Sequence, residues 1–301
     1  MRLIKFMSRI VNSDLEGAYE GQRLFLIGNG PSLADTPLDL LDEEHTMAMN
    51  QIDQIYDNVS WRPDFYIDLN PVRDTIRDSL EVHINMDGVT VFAHESVHDY
   101  IKSSKNLNFI TIEGALFTLK NLSFAEIQNR DIEWLEQYWS YDPRQSVYGF
   151  HSMYKAVQLA MWMGFEEIYI LGADLGMGTN SYMLMNNDID PFDYAGNALE
   201  YLARARETGK LPSAIVNGLA LKVMNFLMRF GFLMKYTEYS TQHFYTKESD
   251  HVRSSEIDAQ LRKSHIIIKR ICESHGIDVY NATLGGELEV YPRVDLHRAL
   301  N

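Results

Sequence analysis

Four polar side chains, Asn29, Asn50, Asp68 and Asp174, each stand at or just past the end of a short apolar run. Amides donate and accept and carboxylates accept, so such a set can cradle a nucleotide or a sugar. Asn29 lies in the most informative stretch, Leu24-Phe-Leu-Ile-Gly-Asn-Gly-Pro-Ser-Leu33. Four apolar residues run into Gly28-Asn29-Gly30, then Pro31-Ser32. Gly28 and Gly30 can take backbone angles closed to other residues and let a ligand approach the main chain. Pro31 suits the first turn of a helix, and Ser32 adds a hydroxyl beside exposed amides. A strand, a glycine loop and a helix start together make an anion site. The plainer reading is a turn after a strand. The stretch lacks both the Walker loop's Gly-Lys-Ser/Thr and the spaced glycines of the dinucleotide fingerprint, so an ordinary ATP or NAD site is not expected.

The elements that must hold these residues can be read from apolar periodicity. Strands are expected at Leu24–Ile27, Thr46–Asn50, Trp61–Leu69, Val89–Ala93, Phe109–Ile112, Glu167–Leu171 and Asp278–Asn281. Residues 35–44 read as a helix or turn. Met153–Met163 reads as a helix stopped by Gly164, and Ser255–Ser274 as an amphipathic helix. Strands alternating with helices predict an α/β, Rossmann-like, mostly parallel sheet flanked by helices, with ligands at the carboxyl ends of the strands. The expected organisation is an N-terminal arm or helix (1–20), a nucleotide-binding core (21–185), an inserted helical lid (186–241) and a C-terminal helix and strand completing the core (242–301). The run Ile215–Met234 has the length of a membrane span, but Asn217, Lys222, Asn225 and Arg229 interrupt it. It reads as a helix pair buried in the body or a homo-oligomer interface, or as a peripheral contact with the inner face of a membrane.

With 301 residues, 46% of them hydrophobic, the chain is of enzyme size with one or two domains. Its formal net charge of −15 argues against nucleic acid as a partner, since phosphate backbones want a basic face. One cysteine, Cys272, allows neither an intrachain disulfide nor a cysteine metal cluster, and no signal peptide is evident, so a cytoplasmic setting is expected. Asp188 and Asp190 are spaced like metal ligands but fall in a loop, and no metal is expected.

Three stretches resemble one group of proteins. Ile-Gly-Asn-Gly-Pro-Ser-Leu (27–33), the strand end at Asn50 and Met-Gly-Phe-Glu-Glu-Ile-Tyr-Ile-Leu-Gly-Ala-Asp (163–174) are similar to bacterial sialyltransferases of glycosyltransferase family 42. They are also similar to the motility-associated flagellin glycosyltransferases and the 6-hydroxymethylpterin pyrophosphokinase-like proteins, whose closing segment the stretch 280–295 resembles. The resemblance implies a metal-independent transferase moving a CMP-activated, sialic-acid-like nonulosonate onto a glycan or protein acceptor, with the nucleotide sugar as substrate and no cofactor. It implies that Asn29 and Gly30 touch the nucleotide, Asn50 its cytidine side and Ser152 its phosphate, with Asp174 near the ribose or base; Gly28 and Ser32 of the glycine loop and Asp68 at its strand end are expected to bind beside them. Tyr182 would assist phosphate departure. The group's base is a histidine before its last helix, a segment that here holds His243 and His251; His151 is a further candidate and Arg144 a phosphate partner. Histidine suits proton removal near neutral pH. Where the sialyltransferases carry an arginine before the Ser152 turn, this chain has Gly149-Phe-His151. The alternatives are a pterin-type, ATP-dependent diphosphotransferase and a non-catalytic nucleotide-binding assembly protein.

Overall fold

A computed structural model describes residues 11–70, 74–99, 101, 106–113, 119, 122–175, 178–184, 233–239 and 252–301. Its strands are β1 (Arg23–Ile27), β2 (His45–Met49), β3 (Phe65–Asp68), β4 (Thr90–His94), β5 (Leu107–Ile110), β6 (Ile112–Glu113), β7 (Val147–Tyr148), β8 (Glu167–Leu171), β9 (Gly178–Leu184), β10 (Leu233–Tyr239), β11 (Val252–Ser254) and β12 (Asp278–Asn281). Its helices are α1 (Asp74–Ile84), α2 (Phe124–Asn129), α3 (Ile132–Glu136), α4 (Ser152–Met163), α5 (Ser255–Ser274) and α6 (Leu296–Ala299). The chain divides into two compact units: Met1–Met177 with Thr241–Lys247 and Ala259–Asn301, and Gly178–Ser240 with Glu248–Asp258.

The first unit is an α/β, Rossmann-like fold on a seven-stranded sheet, ordered β12-β8-β1-β2-β3-β4-β5. Every pairing in it is parallel. Successive residues of β1 serve opposite faces, as the pleat requires. Leu24 and Leu26 join Met47, Phe65, Ile67, Ile168 and Ile170 in one apolar layer under α4 and α5. Phe25 and Ile27 join Ala48, Tyr66, Val91 and Leu171 in the other, under the turns at Leu33 and Leu38, Leu80 of α1 and Leu296 of α6. Burial on both faces is why the strands read as unbroken apolar runs.

The expected strands β8 and β12 and the helix α5 take the bounds read from sequence. Helix α4 begins with His151 as N-cap and ends where Gly164, at φ 96°, bonds back to the carbonyls of Ala160 and Met161. Pro31 opens a 3-10 turn, Pro31–Asp35, and Leu38–Leu41 forms a second, so of the helix or turn read over 35–44 it is the turn that forms. Two expectations change. The strand expected over 109–112 breaks at Thr111, whose carbonyl accepts from Val147, so Ile112–Glu113 pairs with β7. Leu233–Met234, read from sequence as the end of a helical run, opens β10, a segment carrying the strand-formers Tyr236, Thr237 and Tyr239.

In the second unit β11, β10 and β9 form a three-stranded antiparallel sheet. Most of 186–241 lies outside the described residues. Among the described residues no helix is long and apolar enough to cross a membrane.

Candidate functional site

The chain runs from β1 outward through β2 to β5, then crosses to β8 on the other side of β1. Strand order therefore reverses between β1 and β8, and ligands of such sheets bind outside the carboxyl ends at that point. Two loops meet there. Gly28 N donates to Leu171 O at 2.8 Å and Gly30 N to Gly172 O at 2.8 Å. Ser32 N donates to Asp174 Oδ1 at 3.2 Å, and Ser32 Oγ to Asp174 Oδ2 at 3.0 Å. The glycines make this approach possible: a Cβ on either Gly28 or Gly30 would lie 2.6 Å from Gly172 O. Gly172 itself sits at φ 63°, where other residues are strained. On the far side Glu287 N donates to Asp174 O at 2.6 Å. Arg293 props the Gly285–Gly286 turn by donating to the carbonyls of Gly285 at 2.6 Å and Gly286 at 2.9 Å.

The expectation of open loop amides is thereby corrected. The amides of Gly28, Gly30 and Ser32 donate to the chain itself, and the anion beside Ser32 is the Asp174 carboxylate. Burial raises the Asp174 pKa above the usual carboxylate value, and the Ser32 bonds oppose that rise.

The carboxyl ends of β2 and β3 hold a second polar group. Asn29 reaches across to it, Nδ2 donating to Met49 O at 3.1 Å. Asn50 sits at φ 52°, a left-handed conformation uncommon outside glycine. Its backbone is held on both sides: Asn50 N donates to Ile67 O at 3.1 Å, and Tyr66 Oη donates to Asn50 O at 2.7 Å. Asn50 Oδ1 then accepts from Asn70 Nδ2 at 2.9 Å and from Ser152 Oγ at 3.2 Å. Asn70 Nδ2 also donates to Asp68 Oδ1 at 3.0 Å. Ser152, Asn50, Asn70 and Asp68 thus form one continuous network, although they come from three separate segments.

One charged neighbour of this network was missed in the sequence. Lys155 stands one turn after Ser152 on α4, on the same face. It is buried, and Nζ donates to Leu69 O at 3.1 Å. Its signal was a lone ammonium in an otherwise apolar helical stretch. Burial pushes the Asp68 carboxyl up to about 6 and the Lys155 ammonium down to about 8, each partly offset by the other's charge. Burial also lowers the pKa of His94, which lies in the field of Lys155.

Other expected residues fall elsewhere. His151 spends both ring nitrogens: Nδ1 accepts from Tyr154 N at 3.4 Å, and Nε2 lies 2.8 Å from Ser264 Oγ. Ser264 Oγ donates to Leu261 O at 2.7 Å, which assigns the proton to His151 Nε2. His151 thus caps α4. Arg144 pairs with Asp142 and Glu16, both at 2.6 Å, rather than awaiting a phosphate. Tyr182 lies in β9 of the second unit, opposite Lys235. His243, His251, Asp188 and Asp190 lie outside the described residues. Among the described residues no group of three His, Cys, Asp or Glu could hold a metal ion.

A family model described as 6-hydroxymethylpterin diphosphokinase MptE-like matches residues 2–180, more than half of the chain. The chain belongs to the MptE-like family. That match takes in β1 to β8 and every residue of the network just described. No curated protein matches the MptE-like chain. Two solved structures are similar to it. The MAf glycosyltransferase of Magnetospirillum magneticum AMB-1 is 13% identical with a TM-score of 0.43, over 93% of this chain and 37% of that one. The sialyltransferase CstII of Campylobacter jejuni, solved with the substrate analogue cytidine-5′-monophosphate, is 11% identical with a TM-score of 0.42, over 91% of this chain and 85% of that one. The chain thus spans little more than a third of the length of the first.

Proposed function

We propose that this chain is a glycosyltransferase using a nucleotide-activated sugar, specifically a CMP-linked nonulosonate, with a glycan or protein as acceptor. The observation that carries the reading is the network at the β2 and β3 ends. Asn50 and Ser152, the residues that the family 42 resemblance puts on the cytidine and phosphate sides of the nucleotide, bond each other at 3.2 Å. Asn50 is held in a strained backbone conformation, which persists only where surroundings enforce it and which clusters at ligand sites. In this reading Asn29, Asn50 and Ser152 hold the nucleotide, and the Gly28–Gly30 loop with Asp174 forms the rigid wall beside it. His243 takes the acceptor proton, with His251 as the alternative base, and Tyr182 assists the leaving phosphate. No metal is required, because hydroxyls and amides can stabilise the departing phosphate.

The family description favours a second reading, an ATP-dependent diphosphotransferase acting on a pterin alcohol. Thermal melting separates the two. A ligand that binds only the folded chain raises its melting point, by about 2.7 kcal/mol of stabilisation at a hundredfold excess over Kd. A shift with CMP that is indifferent to magnesium is the expected result. A shift confined to ATP with magnesium would replace the first reading by the second. No shift with CMP, UDP, GDP or ATP would leave a non-catalytic protein.

A further inference from the structure

Asp68 and Lys155 are 1% and 5% exposed, so both charges are taken out of water. Each lies in the other's field, yet no ion pair joins them. Asp68 Oδ1 accepts twice from Asn70, at 3.2 and 3.0 Å, while Oδ2 is buried with no hydrogen-bond partner. The Tyr66 hydroxyl lies close enough to the Asp68 carboxylate to act on it, but its one proton goes to Asn50 O at 2.7 Å. The Lys155 ammonium has three protons to donate and gives one to Leu69 O. Buried charges left short of partners are costly, and groups perturbed in this way cluster at functional sites.

The charges select what that ligand group can be. A phosphate or carboxylate would be repelled by Asp68, and an amine by Lys155. A hydroxyl suits both, because it donates one proton and accepts others through the same oxygen. Asn70 ties Asp68 to Asn50 and through it to Ser152, and Lys155 follows Ser152 by one turn of α4, which puts the hydroxyl on the same bound molecule. We propose that Asp68 and Lys155 together hold a sugar hydroxyl of the donor substrate, Asp68 Oδ2 accepting its proton and Lys155 Nζ donating to its oxygen. This rests on the nucleotide-sugar reading above. Two sources share the chemistry: the ribose of the nucleotide and the sugar being transferred.

Calorimetric titration of the full chain tests the assignment, with CMP, 2′-deoxy-CMP, 3′-deoxy-CMP and CMP–N-acetylneuraminate as probes. Wild type is compared with Asp68→Asn, a near-isosteric change, and with Lys155→Met, each first shown by melting to be folded. If the ribose is held, wild type prefers CMP over one deoxy analogue by about tenfold or more, as hydrogen bonds to charged groups do. In Asp68→Asn that ratio falls towards one. If the transferred sugar is held, Asp68→Asn weakens CMP–N-acetylneuraminate and leaves CMP unchanged. Should Asp68→Asn keep the wild-type ratios for all four probes, the hydroxyl assignment is overturned while the nucleotide reading stands. Should none of the probes bind wild type, the nucleotide-sugar reading fails and takes this assignment with it.

Discussion

Asp68 shows how much a single side chain can cost the fold that carries it. Its folded pKa of about 6 lies above the ordinary carboxylate value of 3.8. Between those pH values the folded chain keeps a proton that the unfolded chain has released, so stability falls as pH rises through this window and stays lower above it. Asp68→Asn removes that cost while keeping an acceptor for Asn70. It should stabilise the chain at pH 8 by on the order of 1–3 kcal/mol and change little near pH 3.5. Calorimetric melting at the two pH values checks this, and a lower melting point for the variant at pH 8 would refute it. Asp68, Asn50 and Asp174 were visible in the sequence because a polar residue after an apolar run marks a strand end. What each touches was not visible. The partner of Asp174 is Ser32, 142 residues away, and no local pattern encodes that distance. Lys155 escaped for the opposite reason: a helical lysine ordinarily lies in solvent, and only its place as the lone charge in α4, one turn after Ser152, set it apart.

At the level of elements, the two loops beyond β1 and β8 act as one. A methyl group on Gly30 would press against Gly172 O at 2.6 Å and against the Asp174 carboxylate, so backbone must move. At Gly276, with φ 72°, an added Cβ meets nothing within 4 Å, and only the backbone conformation is strained. Gly276→Ala should therefore cost about 1 kcal/mol and Gly30→Ala more than about 2 kcal/mol in urea unfolding. Equal costs would mean that the loops are not closely apposed. Strand identity was legible here because both faces of the sheet are covered, which leaves each strand as an apolar run. The break at Thr111 was not, since residues 109–112 are apolar and strand-forming on both sides of it; a bond from Val147 decides it.

At the scale of the whole molecule, two buried histidines among the described residues oppose acid. Burial lowers His83 to about 4 and His265 to about 3, from an ordinary 6.5. Their stabilisation is complete above pH 6.5 and is lost as pH falls through the folded values, because the unfolded chain takes up protons first. The melting point should fall steeply from pH 6.5 towards pH 4, outweighing the opposite contribution of Asp68, and His83→Gln should flatten the slope. A wild-type profile that is level over this range would contradict the burial of these rings. The doubly wound order of the sheet was legible only as a class, since alternating strands and helices do not say on which side of β1 the chain returns.

The bonded loops also set an order of events during synthesis. Ser32 leaves the ribosome long before the residue that receives its hydroxyl proton. Until Asp174 emerges, the Gly28–Ser32 segment has only water for those bonds, and β1 has only β2 to lie beside. The glycine loop therefore closes only once β8 is made, as a long-range contact must. In the finished chain its donors are spent on Leu171, Gly172 and Asp174.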